Sequence, residues 1–369
     1  MKTDISKERT MSAETAASDP AWAAHLVPWR KRTYAVIGMC VALVVVIAVA
    51  TTVGSVSIPL SATVKVILSK LSFLQIAPTW QSGTDIIILE IRLPRVILAG
   101  LVGAALGTAG ATYQGLFRNP LADPYLIGVA QGASLGAVVG FLLPVTGSFL
   151  GMGVVPVLAF LGALASMAVV YALARQGKSL PVTTLILAGV ALSALLGSIV
   201  SYLIISSGDK MHSIVFWLMG SFSLSRWSDV RLVLPYMVIG IGVILLYSRP
   251  LNVMQLDEEQ AQQLGINVER LKLVLLAAAT LITAAAVSFV GTIGFVGIII
   301  PHAVRLIWGA DYRFLLPLSV LSSAIFLILA DLIARTLLSP TEIPVGVVTA
   351  LFGAPFFLYL LRRRRRVIF

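Results

Sequence analysis

The stretch "RLPRVILAGLVGAALGTAGATYQGLFRNPLADPYLIGVAQGASLG", from Arg92 to Gly136, decides the fold of this chain. It contains one long apolar run and the start of a second, and both are rich in small residues. Small residues four positions apart let the backbones of neighbouring membrane helices approach closely. The stretch therefore predicts tightly packed helices within a membrane. The glycines that carry this spacing are Gly103 and Gly107, followed by the series Gly128, Gly132, Gly136 and Gly140.

The whole chain continues this pattern. Its 369 residues have a mean hydropathy of +0.98, and only 12% of them are charged, which excludes an ordinary soluble domain. A transmembrane barrel would show short alternating segments, whereas these apolar runs are continuous. We predict an all-α polytopic membrane protein with about ten spans. They are 34–56, 93–115, 124–144, 152–174, 182–206, 229–248, 271–292, 296–309, 314–335 and 345–361.

The two ends of the chain are polar. Residues 1–33 carry no apolar core of the signal-peptide type, so the first span is predicted to be a retained anchor. Residues 34–361 form the predicted transmembrane domain, and a basic tail, 362–369, follows it. The two tails together with the loops on their side hold more lysine and arginine than the loops on the other side, which predicts that both termini are cytoplasmic.

Several kinds of site are missing from the sequence. Its one cysteine, Cys40, and its three scattered histidines give no disulfide framework and no metal or haem cluster. No phosphate-binding loop is present, so any use of ATP must belong to a partner. The net charge of +11 includes the run Arg362 to Arg366 directly after the last span, which favours a membrane anchor over nucleic-acid binding.

Polar residues within the spans are few. An ion-coupled carrier needs titratable groups near the membrane centre, and a membrane-embedded enzyme needs a catalytic cluster. Asp331 and Arg335 are four residues apart and predict an ion pair on one helix face. For His302 and Arg305, a structural role is favoured. The carrier nevertheless remains the main alternative function.

One polar stretch, "LNVMQLDEEQAQQLGINVERLKLV" from Leu251 to Val274, stands out between two spans. Asp257 is a good N-cap with Gln260 three residues later, as in a capping box, and Gly265 is placed to end a helix. The pattern predicts a short cytoplasmic helix over 258–264. A solvated loop helix would explain it, and so would a docking helix for a soluble partner. In the long outer loop, residues after Pro59 predict a second short helix on the membrane surface.

The Arg92–Gly136 stretch resembles the signature region of the FecCD-type permeases, the membrane subunits of ABC importers for iron chelates, haem and vitamin B12. The segment "LDEEQAQQLGINVER" matches the same family, although the family often has glycine where this chain has Asp257. Further matches are "FWLMGSFS" (216–223), "GTIGFVGIIIPHAVRLIWGADYRFLLP" (291–317) and "ADLIARTLLSPTEIPVGVVTALFGAPFFLYLL" (330–361).

This resemblance implies an architecture and a set of partners. The permease would be a dimer of ten-helix subunits with a vitamin B12 permease-like fold, either a homodimer or paired with a second permease. Two ABC ATPase subunits, which hold ATP and Mg, would bind the cytoplasmic face, and a substrate-binding protein would dock outside. The chain would itself have no cofactor and would lie in the cytoplasmic membrane of a bacterium or archaeon. A ferric siderophore is the first expected cargo, followed by cobalamin and then haem.

The resemblance also implies roles for individual residues. The polar helix would be the coupling helix, over about 257–265, which docks on the ATPase. Its expected docking residues are Asp257, Glu258, Glu259, Ala261, Leu264 and Gly265. Expected contacts to the binding protein are Arg92, Arg95 and Arg335. Expected gate or pathway residues are Thr183, Thr184, Trp217, Met219 and Ser221.

Overall fold

The protein is described by a computed structural model that covers residues 29–54, 56, 58–70, 80–144, 148–149 and 152–365. A hairpin of two-residue strands, β1 (Ser148–Phe149) and β2 (Met152–Gly153), accompanies its helices. The α-helices of six or more residues are α1 Trp29–Thr52, α2 Leu60–Leu68, α3 Leu93–Leu116, α4 Val129–Leu142, α5 Val154–Ala174, α6 Val182–Ile205, α7 Met211–Leu218, α8 Trp227–Leu246, α9 Ser248–Val253, α10 Glu258–Gln263, α11 Val268–Val290, α12 Val296–Trp308, α13 Tyr312–Thr336 and α14 Val345–Arg365. A single α-helical turn, Thr84–Ile86, and a π-helix, Ile87–Arg92, lead into α3.

The long helices confirm the predicted all-α membrane fold. Each of the ten predicted spans corresponds to one helix, and six of these helices are long and apolar enough to cross a membrane by length and composition. Three shorter apolar helices, α4, α12 and the apolar part of α14, add to them. Helix α3 has 24 residues, corresponds to the predicted span 93–115 and is surrounded by protein.

Helix α3 lies at the centre of the bundle and is buried along almost its whole length. It packs against α13, α11 and α12, and the predicted glycines make these contacts possible. A Cβ atom on Gly103 would collide with the Ser323 carbonyl of α13, and one on Gly110 would collide with the Gly297 carbonyl of α12. Close backbone contact therefore holds the central helix in place.

Helices α4 and α5 form the second close pair. Gly132 and Gly162 face each other across it, and Gly136 lies against the Leu158 carbonyl, so the predicted glycine series does serve packing. Gly128, however, precedes the helix and has a left-handed φ of 85°. It ends the 3₁₀ turn Pro124–Ile127, a conformation in which glycine costs no steric strain.

The helix boundaries differ from the predictions at both ends of the chain. Helix α1 begins at Trp29, before the predicted span, and α14 continues to Arg365, beyond the predicted end at 361. Arginine and lysine are good helix formers, so the backbone remains helical after the apolar run has ended. Most of the predicted N-terminal tail, residues 1–28, lies outside the described residues, and the proposed division into tails and domain stays a prediction.

The short helix predicted after Pro59 is present as α2, with Pro59 at its N-cap. The residues that it buries are Thr63 and Val66, and Val66 packs with Ile58 and Ile88. Val64, an apolar residue of the same helix, is 43% exposed. The helix is therefore confirmed, but it turns part of its apolar side outward.

The close contact of α3 with α12 gives a first prediction. Changing Gly110 to Ala would force the two backbones apart and lower stability by about 1–3 kcal/mol, the usual cost of overpacking. The matched control is Gly242→Ala in α8, where an added Cβ meets no atom within 4 Å. Thermal unfolding in detergent measures both. Equal unfolding midpoints for the two variants would contradict the packing account.

Candidate functional site

One junction joins the end of α7, the connection from α11 to α12 and the start of α14. The Ser221 amide donates to the Val290 carbonyl (2.9 Å), and the Val345 amide donates to the Gly220 carbonyl (2.9 Å). The Thr292 hydroxyl donates to the Leu218 carbonyl at 2.5 Å. These bonds satisfy backbone groups that the interrupted helices leave free. Non-helical backbone of this kind is tolerated in a membrane protein where it is buried or lines a cavity.

Two cavities open on this junction and share Leu218, Thr292 and Gly294. The more polar one, of about 710 Å³, lies between α4, α6 and the junction. The second, of about 640 Å³, lies towards α14 and is mostly apolar. The polar side chains of the first cavity are Tyr125, Gln131, Ser134, Ser193, Ser198, Ser201 and Thr292.

The predicted pathway residues are only partly brought together. Met219 lines the second cavity, while Trp217 supports the junction through its carbonyl, which lies against Gly291. Thr183 and Thr184 lie in the first turn of α6. Ser198 is fifteen residues further along the same helix, about 22 Å away at the usual helical rise. The threonines and the cavity are therefore two separate places on one helix.

The polar cavity residues were missed by the sequence analysis. A signal did exist, because Ser201 lies three residues after Ser198 and eight after Ser193, both helical spacings, in the otherwise apolar α6. Gln131 and Ser134 form a similar pair in α4. Serine is common in membrane helices for packing and for bonding its own backbone, as Ser198 and Ser201 do here, so its spacing alone does not identify a cavity.

An ion-pair network closes one end of the bundle. Arg95 at the start of α3 forms three hydrogen bonds of 2.8–3.1 Å to Asp331 of α13. Its other side binds Glu342 at 2.8 and 3.1 Å. Glu342 accepts a 2.6 Å bond from the Ser223 hydroxyl, which also lies 2.7 Å from that of Ser221. A predicted docking arginine and a predicted pathway serine thus belong to one connected polar chain.

The other two predicted docking arginines hold the end of α1. Arg92 donates to the carbonyls of Thr51 (3.2 Å), Thr52 (2.5 Å) and Val56 (2.5 Å), and Arg335 donates to the Ala50 carbonyl. Cationic groups at a helix C-terminus satisfy free carbonyls and interact favourably with the helix dipole. Both arginines are less than 10% exposed.

The predicted ion pair of Asp331 with Arg335 is present, with 3.7 Å between Arg335 Nε and the Asp331 carboxylate and no hydrogen bond at that Nε. The closer partner of Asp331 is Arg95, from a distant part of the sequence. Helical spacing identifies neighbours on one helix but cannot show a stronger partner on another. Burial raises the pKa of Glu342, but bonds from Arg95 and Ser223 outweigh it and hold the pKa below its usual value.

The polar helix α10 forms where it was predicted, from Glu258 to Gln263. Gly265 takes the left-handed conformation that ends it, with the Ile266 amide bonded to the Ala261 carbonyl at 3.1 Å. Asp257 occupies the N-cap position, but its side chain makes no capping bond. It pairs instead with Arg118 at 2.6 Å, because the end of α3 brings this cation within reach.

The exposed face of α10 differs from the predicted docking set. Ala261 is fully buried and anchors the helix, so it cannot meet a partner directly. Glu258 is bonded to Lys272 at 2.7 Å, while Glu259 is exposed. Leu256 and Leu264 are 45% and 64% exposed. The helix thus presents a polar face with an exposed leucine beyond each end.

Three further titratable side chains, those of His302, Arg305 and Asp311, have surroundings that indicate a structural role. His302 is buried in α12, and Arg305 donates a 2.8 Å bond to the Tyr312 hydroxyl. Asp311 accepts bonds from Arg313 and Asn252, which outweigh its partial burial and lower its pKa to about 2. Among the described residues, no group of three or more His, Cys, Asp and Glu side chains could hold a metal ion.

Comparisons with known proteins cover most of the chain. Residues 42–363 match the FecCD transport family. The cobalamin import system permease protein BtuC of Halobacterium salinarum is 51% identical over 280 residues, which is 76% of this chain and 74% of that protein. The hemin transport system permease protein HmuU of Yersinia pestis is 43% identical over 286 residues, 75% of this chain and 83% of that one.

A solved structure shares the fold. It is described as a metal-chelate type ABC transporter in an inward-facing conformation. It is 32% identical, with a TM-score of 0.76, and the match covers 89% of this chain and 98% of that one. The fold derived from the helix packing is therefore also the fold of a solved transporter.

The Arg95 network gives a second prediction. Changing Arg95 to Met would leave Asp331 buried without its main partner and lower stability by about 3–5 kcal/mol, the usual cost of breaking a buried ion pair from one side. The control is Arg231→Met, which removes an exposed arginine from α8. Thermal unfolding of purified protein compares them. If Arg95→Met unfolds no earlier than the control, the arginine is not a structural part of this end.

Proposed function

The chain belongs to the FecCD transport family, and we propose that it is the permease subunit of an ATP-driven importer of a metal chelate. The observation that carries the proposal is α10, a polar helix with exposed leucines on a chain that has no nucleotide-binding motif. The energy for transport would come from ABC ATPase subunits that bind ATP and Mg and dock on this helix. The chain itself would have no enzymatic activity.

The ATPase-docking surface would consist of α10 and the residues at its ends. Leu264 and Leu256 would supply the apolar contacts, since a few buried side chains dominate most interfaces. Glu259 would supply charge at the helix start, and Gly265 would fix the turn that presents Leu264. Asp257 and Glu258 would act partly through their bonds to Arg118 and Lys272, and Ala261 by holding the helix against the bundle.

A substrate-binding protein would dock at the other end of the bundle. Helix α3 separates the two ends, because Arg95 begins it and Arg118 follows it, about 35 Å apart at the usual helical rise. The buried positions of Arg92, Arg95 and Arg335 support a role in shaping this surface. Whether their charges also attract acidic groups of the binding protein stays a prediction, and such attraction would weaken with salt.

The transport pathway would lie between these ends, on the side where the two cavities open. A second copy of the chain, or a related permease, would complete it by facing α6 and α14. The exposure of α6 supports this arrangement, since only 11% of its most apolar 18-residue stretch is buried within the single chain. The polar cavity would contact the chelate during transport, while Thr183 and Thr184 would lie near the cytoplasmic gate.

The cargo would be a bulky metal chelate. The two relatives described above are named for cobalamin and hemin. The expected order of ferric siderophore, cobalamin and haem stays a prediction, and all three are suitable test ligands. An ion-coupled carrier remains the alternative, and it would transport without any ATPase. The protein would work in the cytoplasmic membrane with both termini inside.

The third prediction tests ATPase docking. Changing Leu264 to Glu would place a charge in the apolar contact and weaken ATPase binding at least about tenfold, as at other interface hot spots. The control is Leu224→Glu, which changes a leucine that is 83% exposed but far from α10 in sequence. The measurement is the affinity of the purified permease for its co-expressed ABC ATPase. Equal affinities for the two variants would remove α10 from the interface.

A further inference from the structure

Lys272 is a buried cation in the first turns of α11. Its side chain is only 3% exposed. The ammonium group donates to the carboxylate of Glu258 at 2.7 Å, the carbonyl of Leu180 at 3.1 Å and the carboxylate of Glu269 at 3.3 Å. All three of its donors are therefore used. Lysine is seldom this deeply buried unless it is paired.

These three bonds join separate parts of the chain. Glu258 is the first residue of α10, while Glu269 lies with Lys272 in α11. Leu180 lies in the segment before α6, and its amide donates to the second oxygen of Glu269 at 2.8 Å. Both backbone groups of Leu180 are thus held, the amide by Glu269 and the carbonyl by Lys272. The ammonium group is the point at which α10 meets the start of α6.

The segment held by this contact leads directly into the predicted gate. Pro181 follows Leu180 at the N-cap position of α6, and its ring fixes one backbone angle. Thr183 and Thr184 come next, in the first turn of the helix. On the other side, Gln176 and Ser179 exchange two backbone hydrogen bonds of 2.9 and 3.0 Å, which tighten the loop. A displacement of Leu180 would therefore also displace Thr183 and Thr184.

The burial of Lys272 makes its bond the firmer of the two charged connections of α10. The other connection, between Asp257 and Arg118, is 70% and 41% exposed, so water and salt weaken it. Charges held away from water interact more strongly over the same distance. The contact of Lys272 is therefore expected to hold α10 more firmly than the exposed pair does.

We propose that Lys272 is a positioning residue that links the ATPase-docking helix α10 to the gate end of α6. When a bound ATPase moves α10, the movement of Glu258 displaces Lys272. Lys272 and Glu269 then displace Leu180, and with it Thr183 and Thr184. This role rests on the proposed function, since it requires an ATPase on α10. It adds a mechanical path from the docking surface to the gate.

The test separates coupling from assembly. Lys272→Met removes the link, and Glu258→Gln removes only the charge of its α10 arm, which covers the case where the first variant fails to fold. Lys178→Met is the matched control, because it removes an exposed lysine from the same loop. In complexes assembled with ATPase and binding protein, the chelate transported per ATP hydrolysed is expected to fall at least about fivefold in both test variants, and to stay unchanged in the control.

A distance measurement tests the linkage directly. Spin labels at Lys178→Cys and Gln263→Cys, in a Cys40→Ser background, report the separation of the loop and α10. We expect a narrow distribution of label-to-label distances that stays the same through the nucleotide cycle. Once Lys272→Met is added, we expect a broader distribution that depends on the nucleotide. The inference is overturned if both test variants transport normally per ATP, or lose only ATPase assembly. If the unaltered chain assembles with no ATPase, the proposed function fails instead.

Discussion

Close backbone contact around α3 is the constraint on which the rest of the structure depends. Lipid is as apolar as the helices themselves, so no hydrophobic force drives membrane helices together, and packing must hold them. Gly103, Gly107 and Gly110 remove the side chains that would keep α13 and α12 away from α3. The central helix is consequently fixed along its length, and the interrupted helices around it can meet at one junction.

Small residues close the middle of the bundle, and ion pairs lie at the two ends of α3. At one end Arg95 joins Asp331 and Glu342, and at the other Arg118 meets Asp257 near the Lys272 contact. Each end connects segments that are far apart in the sequence. The end with Arg95 is held by a buried ion pair, whereas the pair of Asp257 and Arg118 at the end with α10 is exposed. The two ends thus differ in how far their charges are shielded from water.

The sequence predicted the features that depend on local patterns. Apolar length gave the ten spans, and the left-handed preference of Gly265 gave the end of α10. The predictions were weaker wherever a distant residue competes with a local one. Asp257 was expected to cap its own helix, yet Arg118 takes its carboxylate. Arg335 pairs with Asp331 as expected, but the closer partner of this carboxylate is Arg95, which helical spacing could not show. The burial of Ala261 and the serines of the polar cavity likewise depend on helix packing, which periodicity does not reveal.

The central claim, that this chain carries a chelate only when a separate ATPase drives it, is tested most directly by uptake into proteoliposomes. The vesicles would hold the permease with or without its ABC ATPase, and the chelate-loaded binding protein would be added outside. Cobalamin, haem and a ferric siderophore would be compared. We predict uptake of one of these chelates that requires both the ATPase and ATP. Uptake by the permease alone, driven by an ion gradient, would contradict the claim.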